Sequence, residues 1–191
     1  MSQRGFSLVE ATVSVGIILV MTGVAVPVFR ARFADAHMVG AGQQFRSHFR
    51  IAWSTAVRSG VYTGIRFERL EDGRVFYSVY SDGNVNGVRS ADIASGVDTR
   101  IAGPYPLSGG APSVRVGINP GVPNMPPATG ELSGDPVRFG VSDILSFSPL
   151  GTATPGTFYL AGDSAQAAVR VNGGSARVRL MLWRGGQWQE R

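Results

Sequence analysis

The chain contains no cysteine and no lysine, and only two histidines. Without cysteine there are neither disulfides nor thiolate metal ligands, so the folded part has to stand on its apolar core. Without lysine there is no phosphate-cradling Gly-Lys loop, and every basic side chain is an arginine, the better bidentate partner for carboxylates and phosphates. The histidines, His37 and His48, share a helix face about three turns apart, ~16 Å, which is too far for one metal ion. Charge is also missing from Ala11 to Phe29, a run close to the ~20 apolar residues that cross a bilayer. The net charge of +5 suits an anionic partner without requiring one. Glycine and proline, at 26 and 11, are by contrast plentiful and cluster beyond residue 80, favouring turns and short strands there.

The apolar run is preceded by Arg4-Gly5-Phe6-Ser7-Leu8-Val9-Glu10. A carboxylate at the mouth of an apolar segment is costly in lipid, so Glu10 is by default a functional residue with a partner. Two plainer readings exist. A single-span anchor would need neither Glu10 nor the Gly-Phe junction. A secretory signal has a small-x-small site at Ala34-Asp35-Ala36, but Arg30 and Arg32 stand where a neutral stretch belongs, and the apolar run exceeds the roughly 7–15 residues of such a signal. Arginines flank the segment on both sides, so loop charge leaves its orientation open.

After Pro27 the pattern becomes amphipathic. Ala34, Met38, Ala41, Phe45, Phe49, Ala52 and Ala56 recur at spacings of three and four and end at Ser59-Gly60. This predicts one long helix from Phe6 to Ser59, apolar all round over 6–29 and striped over 30–60, with Pro27, Gly16 and Gly23 as points where it kinks or loosens. From Val61 the period is two. Strands are expected at Val61–Glu68 and Arg74–Tyr80 across the Glu71-Asp72-Gly73 turn. Residues 84–112 read as irregular, with further strands at Ser113–Ile118, Val137–Val141, Ile144–Ser148, Thr157–Ala161, Ala167–Val171 and Ala176–Trp183. The Pro/Gly-rich loop 119–136 reads as a surface excursion, since proline cannot donate to a ladder. The fold class is therefore α+β: a long N-terminal helix on an antiparallel sheet domain spanning 61–191.

The N-terminal motif, with Pro27 inside the helix, resembles that of type IV prepilins and type II secretion pseudopilins. Ile144-Leu145-Ser146-Phe147-Ser148-Pro149-Leu150-Gly151 resembles the Phe-x-Pro-x-Gly turn of the GspH/FimT-like pseudopilins. The pair 167–172 and 176–180 resembles their terminal hairpin, and the helix end from Ala52 to Val61 their segment leading into the first strand. This resemblance implies a leader, residues 1–5, cut by a prepilin peptidase between Gly5 and Phe6, with N-methylation of Phe6. It implies an inner-membrane helix with the sheet domain outside the cytoplasm, and a hetero-oligomeric filament of pilin or pseudopilin subunits. In the family Glu10 pairs with the α-amine of a neighbouring subunit, and such a buried pair would set assembly register. The implied role is structural, initiating or capping a type II pseudopilus or a type IV pilus.

Some type IV pilus members of this family hold DNA with a Gly-Arg-x-Arg element. The corresponding residues here are Ala176-Arg177-Val178-Arg179, with alanine in place of the glycine. Arg177 and Arg179 lie on one sheet face, Arg170 and Arg184 are near in sequence, and Trp183 and Trp188 offer stacking platforms. A solvated strand face carrying ordinary arginines is the plainer reading. For catalysis, Gly162-Asp163-Ser164 is similar to the nucleophile block of one lipase/esterase family, whose triad needs a later histidine; His37 and His48 both precede it. Asp82, Asp92 and Asp98 lie in loops without the spacing of a calcium loop. No enzyme activity, cofactor or metal is implied.

Overall fold

The computed structural model describes residues 7–107, 114–163 and 165–191, apart from the side chains at 24, 26–28 and 30–32. Helix α1 (Leu8–Ser59) is 52 residues long, about 78 Å at 1.5 Å per residue, and continues through Pro27. It starts after the extended Ser7, while Phe6 lies outside the described residues. It ends at Gly60, whose left-handed φ of 71° lets its N–H reach the Ala56 carbonyl.

The chain then forms strands β1 (Thr63–Arg69) and β2 (Val75–Ser81), a short helix α2 (Ser90–Ser95), and strands β3 (Thr99–Pro106), β4 (Arg115–Val116) and β5 (Val137–Arg138). Strands β6 (Ile144–Phe147), β7 (Gly156–Ala161), β8 (Gln166–Val171), β9 (Val178–Arg184) and β10 (Gln187–Glu190) follow. They make two antiparallel sheets, not the single one expected. The first has order β3-β2-β1-β6; the second has order β10-β9-β8-β7-β4, with β5 also on β7.

The stripe read from the sequence is the face that packs. Met38, Ala41, Phe45, Phe49, Ala52 and Ala56 are buried, and Ala34 is half-buried. They meet Ile65, Phe67 and Phe147 of the first sheet and Phe158, Val169 and Leu180 of the second in one core. Phe67 stacks on Phe139 at 5.4 Å and on Phe158 at 5.9 Å, and Phe45 meets Phe158 edge-on at 4.9 Å. Gly42 packs against β9, where a Cβ would overlap the Leu180 side chain.

Three further expectations are corrected. Residues 84–112 are not uniformly irregular, for they contain α2 and the eight-residue β3. β3 is the edge of its sheet and mostly exposed, with register shifts against β2, so it lacks hydrophobic alternation and tolerates Pro104 and Pro106. The chain also does not leave the sheet at Trp183: Gly185 and Gly186, both at positive φ, turn it back into β10 with Trp183 opposite Trp188. Finally, the loop 119–136 is more than a surface excursion. Val122, Met125 and Leu132 are buried over Tyr159 and Ala168 on the outer face of the second sheet, forming a second small core.

Candidate functional site

The start of α1, residues 8–23, is uncovered. Leu8 is 80% exposed and Val20 70%, and Val13, Ile17, Leu19 and Met21 are also exposed, so this stretch contributes nothing to the core. Its hydroxyls are satisfied within the helix: Thr12 donates to the Val9 carbonyl, Ser14 to Glu10, and Thr22 to Ile18. That arrangement leaves few polar groups in need of water. Glu10 stands exposed in the first turn, where a carboxylate favours the helix N-terminus. Gly5 and Phe6 lie outside the described residues. Among the described residues no helix is long and apolar enough to cross a membrane.

The turn at Phe147-Ser148-Pro149-Leu150-Gly151 ties this helix to the first sheet. Phe147 is fully buried. The Ser148 hydroxyl accepts from the backbone N–H groups of Leu150 and Thr152 and shares a 2.8 Å bond with the Thr152 hydroxyl. Gly151, at φ 84°, accepts the indole N–H of Trp53 from α1.

The four arginines singled out near the C-terminus are divided by the pleat of β9. Val178, Leu180 and Leu182 face the core, which sends Arg179 outward. Arg170 is the direct cross-strand neighbour of Arg179, an unfavourable like-charge pairing. Glu190 offsets it: its Oε1 lies 3.4 Å from Arg177 and 3.7 Å from Arg179. Arg170, Arg177 and Arg179 line one open cavity of about 550 Å³ with Thr157 and Asn172. Arg184 is not part of it, and is ion-paired with Asp35 of α1. Nor do the tryptophans flank it. Trp183 and Trp188 pair at the far end of β9 and pack against the 119–136 loop, with the Trp188 indole donating to the Pro123 carbonyl. Glu190 and Asp35, the two acids that decide which arginines are available, carry no local sequence signal of that role.

The remaining candidates have structural surroundings. His48 Nδ1 and the Tyr77 hydroxyl are 2.7 Å apart, and burial lowers the His48 pKa and raises that of Tyr77. Asp82 accepts the backbone N–H groups of Asn84, Val85 and Gly87, and Asp98 those of Gly83 and Arg89. Asp92 accepts from the Asn84 side chain. Asp82 and Asp98 are occupied in shaping their own loops, whereas Asp92 lies in the first turn of α2 and not, as expected, in a loop. No group of histidines and carboxylates that could hold a metal occurs among the described residues, and Ser164 lies outside them.

One long N-terminal helix, packed by its second half across antiparallel sheets and uncovered over residues 8–23, defines an α+β protein. The family described as type II transport protein GspH matches residues 41–175, and the chain belongs to that family. None of the curated proteins and none of the solved structures compared with the chain matches it. The matched stretch runs from the packed half of α1 through β8. It includes neither Glu10 nor Arg177 and Arg179.

Proposed function

We propose that the protein is a pseudopilin subunit of a type II secretion filament, with a part in initiating or capping it. The observation that carries this reading is the contrast along α1. One half buries Met38, Phe45 and Phe49, whereas the other leaves a row of large apolar side chains uncovered behind Glu10. A chain of this kind needs a membrane and then other helices around its first half. The uncharged run from Ala11 to Phe29 supports an inner-membrane span before assembly, with the sheet domain on the periplasmic side. The motif Gly5-Phe6 and Glu10 supports maturation by a prepilin peptidase and register-setting by a charge pair with a neighbour's α-amine. Pro27 loosens the ladder of that assembly helix.

Substituting Glu10→Ala tests this. The subunit should still reach the membrane but no longer co-purify with the other filament subunits. Unchanged co-purification would count against a role for Glu10 in assembly.

A second reading, DNA contact by a minor pilin of an uptake machine, is favoured by one observation: Arg170, Arg177 and Arg179 line the same open cavity. The positively charged groove would track phosphates without reading sequence. The full chain should then bind duplex DNA at low salt, with a salt slope that shrinks in Arg177→Ala/Arg179→Ala. Arg184, tied to Asp35, should contribute little.

A further inference from the structure

Arg177 lines two cavities, one on either side of it. Beyond the 550 Å³ cavity already described, a smaller one of about 210 Å³ lies between α1 and the β8–β9 hairpin, lined by Arg46, Arg50, Trp53, Ser175 and Arg177. Arg46 and Arg50 are one helical turn apart and so present their guanidinium groups to the same side. A belt of five arginines thus runs from α1, across the hairpin, to the outer face of β8 and β9. Among the described residues, Glu190 is the only carboxylate within ion-pair distance of any of them, and it reaches only Arg177 and Arg179. Arg46, Arg50 and Arg170 have no carboxylate partner among the described residues.

The chemistry of the missing partner can be read from what the belt already holds. Glu190 places one carboxylate oxygen between two of its arginines, so the belt accepts a carboxylate carried on a polypeptide. The smaller cavity has apolar and aromatic walls, Phe49, Val178 and Trp53, around its two helix arginines. That is a side-chain-sized recess with a charged rim, the composition of a protein contact with arginine and aromatic anchors. A duplex, with its bases paired inside, would leave those walls unfilled, whereas a protruding side chain fills them.

We propose that these two cavities form one docking surface for a carboxylate-rich segment of a neighbouring subunit. The segment crosses Arg177, placing acids against Arg46 and Arg50 on one side and Arg170 and Arg179 on the other. Glu190 is an internal competitor that holds the Arg177–Arg179 fork until the segment arrives. The proposal rests on the pseudopilin reading only for the source of the segment; maturation at Gly5-Phe6 is measured separately, so the two can fail independently.

The test uses the full chain in detergent micelles and a fluorescent all-glutamate peptide at low ionic strength. The peptide should bind, and Arg46→Gln/Arg50→Gln should weaken binding about tenfold, the loss expected for charge-assisted contacts. Glu190→Gln should tighten it. Arg74→Gln/Arg100→Gln, on other surfaces, should leave it unchanged. Absence of peptide binding would overturn the proposal, as would equal losses in the Arg74/Arg100 control, which would mark non-specific attraction. Duplex DNA binding more tightly than the peptide, with the same dependence on Arg46 and Arg50, would also overturn it in favour of a nucleic-acid surface. Thermal unfolding of each variant verifies that the fold is intact.

Discussion

The indole N–H of Trp53, on the long helix, points at the carbonyl of Gly151, 3.4 Å away in the turn after β6. The contact joins the helix to the turn whose sequence carried the resemblance to GspH/FimT-like pseudopilins. The turn is shaped by Ser148 and by the left-handed backbone of Gly151 at φ 84°. Gly151→Ala should therefore destabilise the domain by about 1–2 kcal/mol through backbone strain, since a Cβ there meets Trp53 only at ordinary contact distance. Thermal or urea unfolding checks this. An unchanged midpoint would mean the turn relaxes without cost.

Ala176, which precedes Arg177 and Arg179, has a φ of 49°, in the left-handed region that favours glycine. The backbone asks for the residue the sequence lacks. Ala176→Gly should leave stability equal or raised by up to about 1 kcal/mol, because relief of strain competes with greater freedom of the unfolded chain. Ala176→Val should lower it by more than about 1 kcal/mol, as a β-branched residue resists this conformation. A ranking with valine above glycine in unfolding experiments would contradict the assignment.

His48 lies against Tyr77 with its pKa lowered by burial. A histidine whose folded pKa is below the unfolded value of about 6.5 leaves the unfolded state binding more protons in that interval, so stability falls as pH drops from about 6.5. His48→Gln should flatten this part of the stability–pH profile. Comparing the unfolding midpoints of both proteins at neutral and mildly acidic pH measures it. Parallel profiles would show that other groups dominate.

Asp143 combines a left-handed φ of 50° with a carboxyl pKa raised by burial and by the nearby Asp135. Here the folded state disfavours the charged form, so at neutral pH the ionised group weakens the fold. Asp143→Asn keeps a side chain that tolerates this backbone and removes the charge. It should raise the unfolding midpoint at neutral pH, with the gain shrinking as the pH falls toward the carboxylate range. A loss of stability at neutral pH would show that the charge is needed.

How much of this was legible in the sequence depends on which physical signal each element carries. The stripe from Met38 to Ala56 was readable because a helix packed on one face imposes a 3.6-residue period. β9 was readable because Val178, Leu180 and Leu182 alternate with outward residues. β3 was not, because an exposed edge strand with two prolines imposes no alternation. Nor was the second sheet's outer layer, whose Val122, Met125 and Leu132 are scattered among turn residues and are buried only by tertiary packing. The clustering of Arg170, Arg177, Arg179 and Arg184 was visible in one dimension. The separation of Arg184 from the rest, and the roles of Asp35 and Glu190, depend on contacts distant in sequence. Trp53 and the two helix arginines beside it gave no local sign that they would border Arg177.

The central claim, that this is a processed filament subunit, is tested most directly by mass spectrometry of the N-terminal peptide from membrane-fraction protein, alongside a variant with Gly5 replaced. Under this claim the chain begins at N-methylated Phe6, and no such species appears when Gly5 is replaced. A chain beginning at Met1, Ser2 or His37 in the unaltered protein would contradict it, and with it the assembly role assigned to Glu10.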